Sequence, residues 1–134
     1  MTYEELLNGF RSRFDWLRLS DQDIAGTDRG LLTVLMDRYI NEQFIESYNK
    51  EPGDASRWQA FFGYIEALMT SGDEALAEII ETTLLEVLAS EAYADLEGIL
   101  KYCGGKTRSS IYGSISSFYG RPERAQELKR RFPV

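Results

Sequence analysis

The sequence predicts an all-α protein, a compact single-domain bundle of about six or seven helices built around a helical hairpin. Three observations predict it. Apolar residues recur three and four positions apart along most of the 134 residues, the spacing of one face of a 3.6-residue helix. No stretch of useful length alternates apolar and polar as a half-buried strand would. Caps and Gly/Pro breaks cut the chain into short segments, and no internal repeat is evident.

Taken in order, Thr2 and Glu5 fit a capping box that opens a helix bearing Tyr3, Leu6, Leu7, Phe10, Phe14 and Leu17, expected to run to about Leu19. A polar loop, 20–28, carries Asp21, Asp23 and Asp28. Thr27 or Asp28 can cap the next helix, which extends to roughly Tyr48. Its apolar residues, from Leu31 and Val34 to Tyr48, spread around most of the circumference, so a central position is expected. Pro52-Gly53 then breaks the chain, and Ser56 with Gln59 can cap the first arm of the hairpin. That arm carries Trp58, Phe61, Phe62, Ile65, Leu68 and Met69. Ser71-Gly72-Asp73 turns it into a second arm with Leu76, Ile79, Ile80, Leu84 and Leu88. A further helix bears Tyr93, Leu96, Ile99, Leu100 and Cys103, and Gly104-Gly105 reads as its left-handed C-cap. Thr107 opens a serine-rich segment expected to turn Ile111, Ile115, Phe118 and Tyr119 inward. Gly120 and Pro122 separate it from a last helix with a cationic end.

Composition bounds the function. At 43% hydrophobic and 28% charged residues, the chain has the balance of one globular domain. It contains no apolar run near the roughly 18 residues of a membrane span. Met1-Thr2-Tyr3-Glu4-Glu5 lacks the build of a secretory signal, and a lone Cys103 cannot form an internal disulfide, so a cytoplasmic location is expected. Histidine is absent, which removes Ser-His-Asp and Cys-His mechanisms, histidine bases and imidazole metal sites. The net charge of −7 is uneven. Residues 1–100 hold 20 acidic against 7 basic side chains, and residues 101–134 hold 2 against 8. An acidic body repels nucleic acid and anionic membranes and draws basic partners in, although acidity also serves solubility alone.

Four motifs fail on chemistry. Asp21-Gln22-Asp23 followed by Gly26 imitates a calcium loop, but Ala25 and Leu32 stand where oxygen ligands are needed. Gly105-Lys106-Thr107 imitates a phosphate loop, but Leu100 stands at the required glycine and a helix precedes it. Cys103 lies on an apolar face and reads as core. The basic C-terminal third contains Tyr102, Tyr112, Phe118 and Tyr119, ingredients of a nucleic-acid surface. Their core-like spacing favours cations docked on acidic helices of the same chain.

Two groups of acids remain. Glu66 and Glu86 flank the apolar stripes of the hairpin, and Arg108 is a natural forked partner, so a Glu66–Arg108 or Glu86–Arg108 pair is expected. On the outer face, Glu74, Glu78 and Glu81 align at four- and three-residue spacing and Leu85 continues the line. It reads either as an acidic row with an apolar anchor for a basic partner, or as a solvated face with Leu85 covered.

Phe62-Gly63-Tyr64-Ile65-Glu66, Ser71-Gly72-Asp73, Thr83-Leu84-Leu85-Glu86-Val87-Leu88, Leu100-x-Tyr102-x-Gly104 and Lys106-Thr107-Arg108 together resemble a group of short helical bacterial proteins. Some members are immunity proteins of polymorphic or contact-dependent toxin systems. The resemblance implies a non-catalytic inhibitor that occludes a cognate toxin domain. Many such toxin domains are basic, which suits an acidic inhibitor. The expected partner surface is Asp21, Asp23, Asp28, Glu74, Glu78, Glu81 and Leu85, with no cofactor, metal, nucleic acid or membrane involved. An adaptor module of a bacterial assembly is the alternative. An enzyme using Glu66 and Glu86 as acids is a third reading.

Overall fold

The computed structural model describes residues 1–134, all helical and without strands. We number eight helices: α1 Tyr3–Arg13, α2 Asp21–Ile24, α3 29–50, α4 Ala55–Met69, α5 74–89, α6 Leu96–Leu100, α7 105–118 and α8 Pro122–Arg131. Packing gathers them into two units, residues 1–50 and 51–134, divided next to the Pro52-Gly53 break.

In residues 1–50, α1 begins at the expected capping box, with Glu5 N–H donating to Thr2 Oγ1 at 3.1 Å. It ends at Arg13, not near Leu19. Phe14 turns to extended geometry, and Leu17 and Leu19 are buried from non-helical chain. A side-chain amide holds that segment: Arg18 N–H donates to Gln43 Oε1 at 2.7 Å, and Gln43 Nε2 donates back to Arg18 O at 3.2 Å. The eighth helix, unforeseen in the sequence, is α2. Ser20 and Asp23 form a second capping box around a single turn. In α3 the buried side chains are Leu32, Leu35, Met36, Ile40, Asn41, Phe44 and Tyr48, while Leu31 and Val34 are 41% and 48% exposed. The helix is therefore buried on one face rather than all round, and part of its apolar surface is exposed.

In residues 51–134 the hairpin forms as the sequence predicts. Asp54, rather than Ser56, caps α4 by accepting from Arg57 N–H, and Trp58 is buried with Nε1–H on Glu51 O at 2.8 Å. Gly72 takes φ +87°, a left-handed turn open to glycine without a Cβ penalty. Asp73 then caps α5 through Leu76 N–H. Helix α7 packs against both arms of the hairpin, and α8 packs on α7.

Three helices contain a π turn: Met36–Asn41 in α3, Glu81–Leu85 in α5 and Ser114–Phe118 in α7. A π turn closes i→i+5 bonds and so carries one extra residue. Side chains beyond its start depart from the α-helical line by up to roughly 100°, one residue step of an α-helix. Sequence spacing alone does not register this. Phe118, expected inward, is exposed, while Tyr119 is half-buried and its hydroxyl donates to Glu86 O at 2.7 Å.

Candidate functional site

The C-terminal end of α4 meets the start of α7 through one carboxylate. Glu66 Oε1 accepts from Thr107 N–H and from the Thr107 hydroxyl, both at 2.8 Å, and Oε2 accepts from Lys106 N–H at 3.0 Å. These N–H groups are orphan donors of the first turn of α7, where an anion is favoured. Burial pushes the Glu66 carboxyl up. The two N–H bonds, the Thr107 hydroxyl and the Lys106 charge outweigh it and hold the group below the ordinary carboxylate range. Thr107 is fully buried as the third residue of this helix, and Gly104 takes the N-cap position.

This contact also corrects the expected left-handed cap at Gly104-Gly105. Gly104 has φ −77°, which any residue adopts. Its need is proximity: a Cβ there would lie 2.4 Å from Glu66 Cδ and 2.5 Å from Cγ. Only glycine lets α7 start this close to the carboxylate.

The expected Glu66–Arg108 and Glu86–Arg108 pairs do not form. Arg108 donates through Nε to Leu100 O at 3.0 Å and through Nη1 to Pro133 O at 2.8 Å, with its guanidinium over the Phe132 ring. It gathers the end of α6 and the tail after α8 through their carbonyls. The Glu86 carboxyl is raised, by burial first and by the charge of Glu81 second.

On the outer face of α5, Glu74, Glu78 and Glu81 line a groove of about 620 Å³. Met69 and Ala77 are its apolar lining residues, Thr70, Gly72 and Asp73 also line it, and Lys106 contributes from the start of α7. Leu85 is not part of it. The π turn that begins at Glu81 swings Leu85 off the acidic line into the core, where it is 0% exposed. It therefore cannot be an exposed anchor; its own fold covers it.

The first-loop acids are placed differently. Asp23 and Asp28 are helix caps, accepting from Ser20 N–H at 3.0 Å and Leu31 N–H at 2.8 Å. Local folding thus uses these two carboxylates as helix caps. Asp21 is 94% exposed and pairs with Arg11 at 2.7 Å. The structure places these three in residues 1–50 and the acidic row in residues 51–134.

Much of the basic C-terminal third is consumed within residues 51–134. Glu91 takes φ +61°, unusual for a residue with a Cβ, and is gripped by Arg124 Nε at 3.0 Å, Arg124 Nη2 and Arg121 Nη1 at 3.2 Å. Hydrogen bonding from Arg124 holds Glu91 below the ordinary carboxylate range. Arg131 pairs with Glu97. Glu91, Gly104, Lys106 and Thr107 are the structurally telling residues that sequence reasoning missed. For Glu91 no sequence signal exists, since a left-handed turn is normally marked by glycine or asparagine. Cys103 is buried, and burial pushes its thiol far above the ordinary range, which leaves it unreactive. No group of three or more Cys, Asp or Glu side chains is arranged to hold a metal ion, and no helix is long and apolar enough to cross a membrane.

Fold and site together define a small all-helical protein with an acidic groove on its hairpin. The model of the DUF7674 family, described as a domain of unknown function, matches residues 12–133, so the chain belongs to that family. No curated protein and no solved structure matches the chain.

Proposed function

We propose that this protein is a non-catalytic inhibitor of the immunity type, which binds a basic toxin domain through the acidic groove of α5. The observation that carries this reading is the row Glu74, Glu78 and Glu81 beside the apolar surface of Met69 and Ala77. Like charges one helical turn apart cost the free helix roughly 0.2–0.5 kcal/mol per pair. A partner's cations gain Coulomb attraction to an acidic row, which favours steered association. The resemblance of residues 61–108 to immunity proteins supports the toxin as the partner, and the acidic residues 1–100 support a basic one. In the first loop, Asp21 and Asp28 are exposed acids open to a partner, and Asp23 lies beside them.

The test is co-purification with the product of the adjacent gene, followed by growth rescue when that product is expressed. Rescue that depends on Glu74, Glu78 and Glu81 supports the inhibitor. A bound partner that is not toxic assigns the adaptor role instead. Retained rescue after reversal of all three charges removes the groove from the mechanism.

A further inference from the structure

We infer that α8 is a strap locked over α7 by the charge cluster at Glu91. The strap opens as a unit at the Gly120-Arg121 joint and uncovers Tyr112 of α7 while the hairpin of α4 and α5 stays folded. All of the groups involved lie in residues 51–134, and none of them lines the acidic groove.

The apolar hold on α8 is small. Of its ten residues, only Ala125 and Leu128 are buried, and an element with so little burial opens at low free energy. Its start is built to pivot. Gly120 takes φ +63°, a Cβ there would meet nothing within 4 Å, and no side chain caps the first turn of α8. One backbone hydrogen bond, Arg121 N–H to Ile115 O at 2.9 Å, crosses the joint.

Charge supplies what apolar burial does not. Arg124 grips both oxygens of Glu91, through Nε at 3.0 Å and through Nη2, and Arg121 adds Nη1 at 3.2 Å. Glu97 of α6 draws Arg124 Nη1 at 3.8 Å and pairs with Arg131 at the far end of α8. The side chains of Glu91 and Arg124 are 19% and 21% exposed, so salt screens their pairing only weakly. Glu91 holds φ +61° to make these contacts. Glycine makes such a turn without a steric cost, so what Glu91 adds is the carboxylate that meets α8. Beneath the strap, the hydroxyl of the buried Tyr112 donates to Leu128 O at 3.4 Å and to Phe132 O at 2.5 Å. Arg108 Nη1 on Pro133 O at 2.8 Å closes the far end. Opening releases these carbonyls together.

Hydrogen exchange read by mass spectrometry on the full chain tests this. In the parent protein, amides of α8 have protection factors at least about tenfold lower than those of α4. E91Q keeps the size of the side chain and loses its charge; it lowers protection of α8 by about a further tenfold and changes that of α4 by less than about twofold. R124Q cuts the same lock from the side of α8 and gives the same result, so either variant alone reads the lock. The double variant E91Q/R124Q differs from the weaker single one by no more than about twofold, because both changes remove one interaction. Equal protection of α8 and α4 in the parent overturns the inference. So does an equal loss in α4 and α8 in either variant, since the cluster would then hold the whole fold. Unchanged α8 protection in both variants, or additive losses in the double one, overturns it as well.

Discussion

Glu66 is the residue on which the joining of α4 to α7 depends, because one carboxylate satisfies two helix N–H groups and a buried hydroxyl. Hydrogen bonds to a charged group contribute about 1.5–3 kcal/mol, so Glu66→Ala is expected to cost about 2 kcal/mol in denaturant unfolding. The pH dependence comes from its lowered pKa. The folded carboxyl binds its proton less readily than the unfolded one, whose value is about 4.3. Its stabilisation is therefore complete above that value and lost as pH falls through the lower, folded pKa. Glu66→Gln flattens this acid limb, and a melting series from neutral pH into acid checks it; an unchanged slope removes Glu66 from the acid response. Leu85 belongs to the same scale. Its burial predicts that Leu85→Ala costs about 2–5 kcal/mol and leaves partner affinity unchanged when measured on the folded fraction.

At the scale of elements, two features answer to the backbone. The first is the close approach at Gly104. Gly104→Ala forces a Cβ into Glu66, and overpacking of this kind costs about 1–3 kcal/mol. In a Glu66→Ala background the same change is expected to cost far less, because the opposing atoms are gone; additive costs in that double-mutant cycle would refute a steric origin. The second feature is the π turn of α5, Glu81–Leu85. Deleting the exposed Thr82 removes the extra residue and restores plain helical geometry with the flanking faces in place. That variant is expected to melt near the parent temperature. Deleting Ala77, in the regular stretch before it, rotates the remainder of the helix by roughly 100° and is expected to unfold the hairpin.

For the whole molecule the governing quantity is charge. Residues 51–134 neutralise much of their own basic end through Glu91 and Glu97, which leaves Lys129 and Arg130 outward on α8. The net charge of −7 stays dominated by acids elsewhere, including the groove row. Triple reversal to E74K/E78K/E81K is expected to slow association with a basic partner by at least about tenfold at low salt. The difference shrinks as ionic strength rises past about 0.1 M, where screening acts within about 10 Å. Stopped-flow association at several salt concentrations measures it, and a salt-independent rate argues against electrostatic steering. Asp73 still caps α5 through Leu76 N–H in this variant, and a melting curve checks that its fold survives the cation placed in the first turn.

The helical class, the hairpin of α4 and α5, and the identity of its core from Trp58 to Leu88 are legible in the sequence. These depend on local periodicity and on caps such as Thr2, Asp28 and the Ser71-Gly72-Asp73 turn, which act within a few residues of themselves. The acidic row is also legible, because a short stretch of regular helix suffices to align it. Packing settled the rest. Glu66 lies 40 residues from Lys106, and no spacing rule states which donors a flanking acid will meet. Arg108 found two carbonyls rather than the expected acids. The π turns fixed Leu85 and Phe118, since an inserted residue rotates the remainder of a helix by an amount that a fixed period cannot anticipate. Local interactions are written in order along the chain; contacts between distant residues are chosen only when the helices pack.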